Sequence, residues 1–178
     1  MSYRSDAVNE ALREWERFPT GRKELYYQET GATGGDWCGI YVLRSLQKAG
    51  LAKGVKWIQG RGFIEPLKLP MVKTPLPGDV VVVPQPFQHQ AMVVSYDPVT
   101  GMVTSIDGNQ PGIEPKVRFV QNGGIQFYSI QPLIDEAERN ASMVGFLVAG
   151  AIVVGAAAWV WENGLPGPLD RVIRRLAA

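Results

Sequence analysis

The sequence predicts an α+β fold in which helices come first and an antiparallel sheet of about five strands follows. Three observations predict it. Apolar residues recur at helical spacing up to Gly50, β-branched runs separated by turn residues dominate from Asp79 onward, and the two patterns do not alternate along the chain. A further stretch, Met143 to Trp161, carries no charge and predicts one added helix of a different kind.

The first helix rests on Val8, Leu12 and Trp15, with Ala11 alongside, which fall on one face at 3.6-residue spacing. Arg4, Asp6, Glu10, Arg13, Glu14, Glu16 and Arg17 are interleaved with them, so the first twenty residues have no apolar core of a secretory leader. A Gly/Thr-rich connection, Thr30 to Gly35, leads to a second helix from about Asp36 to Ala49, with Gly50 as its stop. Val42, Leu46 and Ala49 give it an inward stripe, and Cys38 lies in its first turn on the same side.

Pro66 to Pro77 holds four prolines and reads as irregular. Strands are expected at Asp79 to Val83, closed by Pro84, at Ala91 to Tyr96, and at Met102 to Asp107 after the turn Asp97-Pro98-Val99-Thr100-Gly101. Lys116 to Val120 and Ile125 to Ile130 flank Gln121-Asn122-Gly123-Gly124, whose Asn-Gly pair predicts a hairpin. No internal repeat is visible.

Residues 1–134 are therefore read as one domain and 135–142 as a polar linker. Residues 143–161 are read as a transmembrane helix and 162–178 as a basic amphipathic tail. The 19 uncharged residues would span about 28 Å at ~1.5 Å per residue, close to a bilayer core of about 30 Å. Trp159 and Trp161 sit at one end, where amphipathic rings favour the interface. Gly145, Ala149, Gly150, Ala151, Gly155 and Ala156 permit close helix packing and so self-association. A core helix in a larger assembly is the competing reading. Arg171, Arg174 and Arg175 follow the span, whereas Asp135, Glu136, Glu138 and one arginine, Arg139, precede it. The positive-inside rule then puts the tail in the cytoplasm and the large domain outside, single-pass. Val172, Ile173 and Leu176 alternate with those arginines, as in a helix lying on a membrane surface.

Composition removes several function classes. A net charge of +1 and no Lys/Arg run give no basis for nucleic-acid binding. One cysteine excludes an intrachain disulfide, and one histidine beside it makes no metal-ligand set. No cofactor motif is present either.

What remains is nucleophilic chemistry. A helix N-terminus favours a thiolate over a thiol, and Cys38 is placed there. Strands 91–96 and 102–107 should pair antiparallel, which brings Asp107 beside the start of the first, hence beside His89. A thiol, a histidine base and a polar group orienting that base make a nucleophilic triad. Each residue also has a plain structural reading. A lone cysteine commonly packs in a core, Asp107-Gly108-Asn109 is common turn composition, and Trp37 is as much a packed aromatic as a cleft wall.

Four segments in order resemble one family. Asp36-Trp37-Cys38-Gly39-Ile40-Tyr41-Val42, with Lys48-Ala49-Gly50-Leu51, is similar to the nucleophile helix of CHAP and NlpC-type peptidoglycan hydrolases. Pro77-Gly78-Asp79-Val80-Val81-Val82, His89-Gln90-Ala91-Met92-Val93-Val94 and Ser105-Ile106-Asp107-Gly108-Asn109 are similar to the strands that follow it. The resemblance covers about Tyr26 to Asn109 and implies a papain-like fold. It implies Cys38 as nucleophile, His89 as base and Asp107 or Asn109 as the orienting residue. The Cys38 backbone N–H would serve the oxyanion, with Tyr27 or Asp36 as a side-chain donor; Trp37, Tyr27 and Asp36 are the expected substrate contacts. Gln90 and Ala91 replace an apolar residue and a glycine common in the family, and Asp107 is one methylene shorter than the usual glutamate. The expected partner is peptidoglycan, and the expected setting is a membrane-tethered, phage-virion or secreted lytic protein. A non-catalytic membrane-inserting conduit whose papain-like domain only binds cell wall is the alternative, and a protease acting on a protein substrate is a third.

Overall fold

The computed structural model describes residues 2–58, 62–83, 88–109, 111–120 and 124–144. Helix α1, Tyr3–Arg17, starts with a reciprocal cap. The Ser5 backbone N–H donates to Ser2 Oγ at 3.3 Å and the Ser2 N–H to Ser5 Oγ at 3.2 Å, satisfying two otherwise unpaired donors. Its inner line is Ala7, Val8, Ala11 and Glu14, while Leu12 and Trp15 are only half-buried. The small alanines let α3 approach, and the Tyr41 hydroxyl donates to the Ala11 carbonyl at 2.6 Å.

Helix α2, Lys23–Thr30, was not anticipated; it ends on Gly31 with φ 73°, a left-handed stop suited to glycine. Helix α3, Cys38–Lys48, is central. Its residues from Cys38 through Leu46 are all buried, so the expected one-sided stripe is in fact an all-round burial between α1 and α2 on one side and the sheet on the other. That includes Arg44, whose Nε donates to Glu29 Oε2 at 2.5 Å and whose Nη1 lies 3.5 Å from Glu10 and Glu14. Arg22 grips Glu14 through two bonds of 2.8 Å, and the Tyr26 hydroxyl donates to the same carboxylate at 2.8 Å. This charged network ties the three helices together.

Among the described residues six antiparallel strands form one sheet: β1 (Met71–Val72), β2 (Val80–Val83), β3 (His89–Asp97), β4 (Met102–Asp107), β5 (Glu114–Phe119) and β6 (Gln126–Tyr128), in the order β1-β6-β2-β3-β4-β5. Alternation works as expected. Val80, Val82, Met92 and Ile106 face the helical core, whereas Val81, Ala91, Val93, Val103 and Phe127 form a second cluster on the opposite face. An irregularity between Val93 and Ser95 shifts the register by one, so Tyr96 joins that second cluster. Strand β1 falls within the proline-rich stretch expected to be irregular.

The predicted 116–130 hairpin does not form. Strand β5 pairs with β4 at one edge, and β6 runs between β1 and β2. Local turn preference is outweighed here by burial: Phe127 packs against Val81 and its neighbours and is 2% exposed. Asp79, also buried, joins the sheet to α1 by accepting from Arg4 Nη1 at 2.7 Å and from the Ile130 N–H at 3.0 Å.

The stretch expected as a polar linker is helical. Helix α4 begins at residue 131 and is described to residue 144, with Leu133 and Ile134 buried in the main core and Ala137 packed against it. These three anchor the helix, and the good helix formers Glu136 and Glu138 continue it. The chain divides into two units, Met1–Ala137 and Glu138–Ala178. Among the described residues no helix is long and apolar enough to cross a membrane. Most of the expected span (145–161 of Met143 to Trp161) and the whole expected tail, 162–178, lie outside the described residues. Among the described residues the class is α+β, with four helices and a six-stranded antiparallel sheet.

Candidate functional site

Cys38 is the first residue of α3, and the preceding Trp37 offers no side-chain cap, so the first-turn N–H groups keep their positive partial charge. The residue is 7% exposed. Burial alone would push the thiol up. A hydrogen bond with the His89 imidazole, backbone N–H groups of Gln90 and Gly39, and the charge on His89 outweigh it, and the thiol lies below its ordinary value.

His89 opens β3 and shares a face with Ala91, which pairs with Asp107 on β4. The imidazole Nε2 is 2.7 Å from Asp107 Oδ2. Burial would lower the pKa of His89, but the hydrogen bonds and charges of Asp107 and Cys38 raise it to about 9.

Asp107 is fully buried. Its oxygens accept from His89, from Ser105 Oγ at 2.6 Å, from Arg118 Nη1 at 3.0 Å and, through a further close contact, from Arg118 Nη2. Arg118 Nη1 also donates to Ser105 Oγ. Burial opposes ionisation of this carboxyl, yet His89, Arg118 and Ser105 together hold it down at about 2. It is a fixed anion behind the histidine. Ser105 and Arg118 were not identified from sequence. Arg118 pairs across with Val103 on β4, on the face that carries Ser105 and Asp107, and so reaches both. The alternating Glu114, Lys116 and Arg118 were the available signal, obscured once β5 was assigned to a hairpin with β6.

The remaining expected residues take other places. Asn109, at φ 68°, donates from Nδ2 to Asp36 Oδ1 at 3.0 Å and makes no contact with His89; Asp107 is the group on the imidazole. The Tyr27 hydroxyl donates to the Gly35 carbonyl at 2.5 Å. These two bonds brace the loop that leads into Cys38. Trp37 is a correction. It is buried, 5.5 Å from the Tyr26 ring and 6.2 Å from the Tyr41 ring, centroid to centroid. A Cβ at Gly108 would lie 2.7 Å from the indole, so the glycine after Asp107 is required by Trp37 packing. The aromatic cluster seats the α3 N-terminus and gives the indole no free face for a ligand.

Among the described residues no group of three or more His, Cys, Asp or Glu side chains is placed to hold a metal ion. The site can supply an anionic sulfur, a proton carrier beside it, and a permanent negative charge that fixes the carrier's orientation. Compared with known protein families, with curated proteins and with solved structures, the chain finds no match.

Proposed function

We propose that this protein is a cysteine hydrolase with a papain-like domain, breaking peptide or amide bonds of bacterial peptidoglycan by acyl transfer to Cys38. The observation that carries the reading is the chain Cys38–His89–Asp107 at the uncapped start of a buried helix. The thiol is lowered and the imidazole raised, two shifts that both favour the thiolate–imidazolium form of the pair.

In the proposed reaction His89 holds the thiol proton and the Cys38 sulfur forms a bond to the carbonyl carbon. Backbone N–H groups at the α3 terminus stabilise the oxyanion. The C–N bond then breaks, and the departing amine takes the proton from His89. Water, giving its proton to His89, attacks the thioester and releases the acid, restoring the thiol. The helix bearing the nucleophile, followed by strands bearing the histidine and the carboxylate in that order, agrees with a papain-like arrangement. Peptidoglycan as substrate rests on the four resembling segments.

The test is release of soluble fragments from purified peptidoglycan, with mass spectrometry of the muropeptides identifying the bond. Wild type should release fragments and Cys38→Ala should not; equal release would end the reading. The proposed membrane tether at 143–161 is tested separately by flotation of the full chain with lipid vesicles. Recovery only in the lipid-free fraction would remove it.

A further inference from the structure

Gln90 follows the catalytic histidine and is turned to the opposite face of β3, towards α3. Its backbone N–H is one of the groups that lower the Cys38 thiol, and its side chain lies against Gly39, the residue after Cys38. The side chain is 7% exposed, yet its Oε1 has no hydrogen-bond partner among the described residues. Unpaired buried oxygens of this kind are few in folded proteins, and each calls for a reason. Two glycines make room for this one. A Cβ at Gly39, the residue after the nucleophile, would stand 2.3 Å from Oε1 and 2.7 Å from the Trp57 ring. A Cβ at Gly62, where φ is 62°, would stand 3.4 Å from Nε2. The carboxamide is therefore pressed against the turn that carries Cys38, with an unused acceptor and an aromatic wall beside it.

We propose that Gln90 is a specificity-determining residue: its side-chain oxygen accepts a hydrogen bond from an amide N–H of the substrate whose carbonyl carbon Cys38 attacks. The assignment rests on the hydrolase reading above. An acceptor that is desolvated in advance discriminates against a substrate lacking the matching donor, because pairing restores what burial removed.

The single cysteine of the chain makes alkylation a direct readout. Iodoacetamide and N,N-dimethyl-iodoacetamide react alike, the sulfur displacing iodide, but only the first carries N–H groups. Their rates are measured by intact mass on wild type, Gln90→Met and Gln90→Glu, each normalised to free cysteine. Methyl methanethiosulfonate, which has no amide, reports thiolate reactivity alone. Wild type should prefer the N–H reagent by about tenfold. Gln90→Met should lose that preference while keeping its thiosulfonate rate, and Gln90→Glu should retain it. Removing the orphan oxygen should also raise the melting temperature of Gln90→Met by about 2–4 °C. Equal preference in wild type and Gln90→Met, or a lower melting temperature of the latter, overturns the assignment. Wild-type thiosulfonate labelling no faster than free cysteine at pH 7 would instead overturn the hydrolase reading, and this assignment with it.

Discussion

The buried charge cluster among the helices and the one on the sheet around Asp107 differ in what they can do. Around Glu14 the partners are Arg22, Arg44 and Tyr26, with Glu29 and Lys48 beyond. Burial opposes the ionisation of Glu14, and Arg22, Tyr26 and Arg44 override that and hold its carboxyl below the ordinary value. Around Asp107 the partners are Arg118 and Ser105 on one side and His89 on the other, with a thiol beyond the imidazole. Both clusters satisfy a carboxylate away from water. Only the second couples that carboxylate to an imidazole and, through it, to a thiol. Buried ion pairs are therefore weak indicators of chemistry on their own; the titratable neighbour makes the difference.

Substitutions should separate the clusters cleanly. The largest effect is expected for Cys38→Ala, which should lower peptidoglycan turnover by at least about 10³-fold while the unfolding midpoint stays within a few degrees of wild type. Asp107→Asn should cost about 10²- to 10⁴-fold in kcat/KM. It should also move the alkaline limb of the pH–rate profile, set by His89 at about 9, towards the ordinary 6.5, since the carboxylate is the first of the two groups, before Cys38, that raise the imidazole. An unmoved limb would detach Asp107 from the mechanism.

The opposite pattern is expected in the helical cluster. Glu14→Gln should destabilise the fold by roughly 3–5 kcal/mol in urea unfolding, because Arg22 and Arg44 lose their shared anion. Activity per folded molecule should stay within about twofold.

The smallest effect is a pH dependence of stability. His89 is raised from 6.5 to about 9, so its contribution is complete below 6.5 and is lost as pH rises through 9. Asp107 is lowered from 3.8 to about 2, so its contribution is complete above 3.8 and is lost as pH falls through 2. Arg118→Met should raise the Asp107 pKa and start the acid loss at higher pH, measurable by unfolding between pH 2 and 5. Unchanged acid unfolding would mean that Arg118 does not hold the carboxylate.

Much of this was legible without coordinates. The helical spacing of Val8 and Ala11, the β-branched runs and the turn at 97–101 are local signals, and strand β4 falls at Met102–Asp107, where they put it. The same turn fixed the β3–β4 pairing and so placed Asp107 near His89. Other features failed because they depend on which distant segment wins an edge. The Asn-Gly pair signalled a hairpin, but the open edges of β2 and β4 lie on opposite sides of the sheet and took β6 and β5 separately. Losing that pairing hid Arg118. Trp37 was misplaced, and Asn109 could not be told apart from Asp107, for a related reason: adjacency to Cys38 and Asp107 along the chain says nothing about which way a side chain turns once Tyr26, Tyr41 and Asp36 compete for it.

By itself the sequence determined the α+β class, the residue types capable of acyl transfer, and the placement of a thiol at a helix start. Those follow from periodicity and from short-range backbone preference, which act over a few residues. Tertiary structure alone decided that Asp107 and not Asn109 meets the imidazole, that Arg118 and Ser105 hold that carboxylate, and that Gln90 keeps an unpaired oxygen against Gly39. Each of these is a contact between segments distant in sequence, set by strand order and by the exclusion of water from a shared interior, and no local rule encodes either.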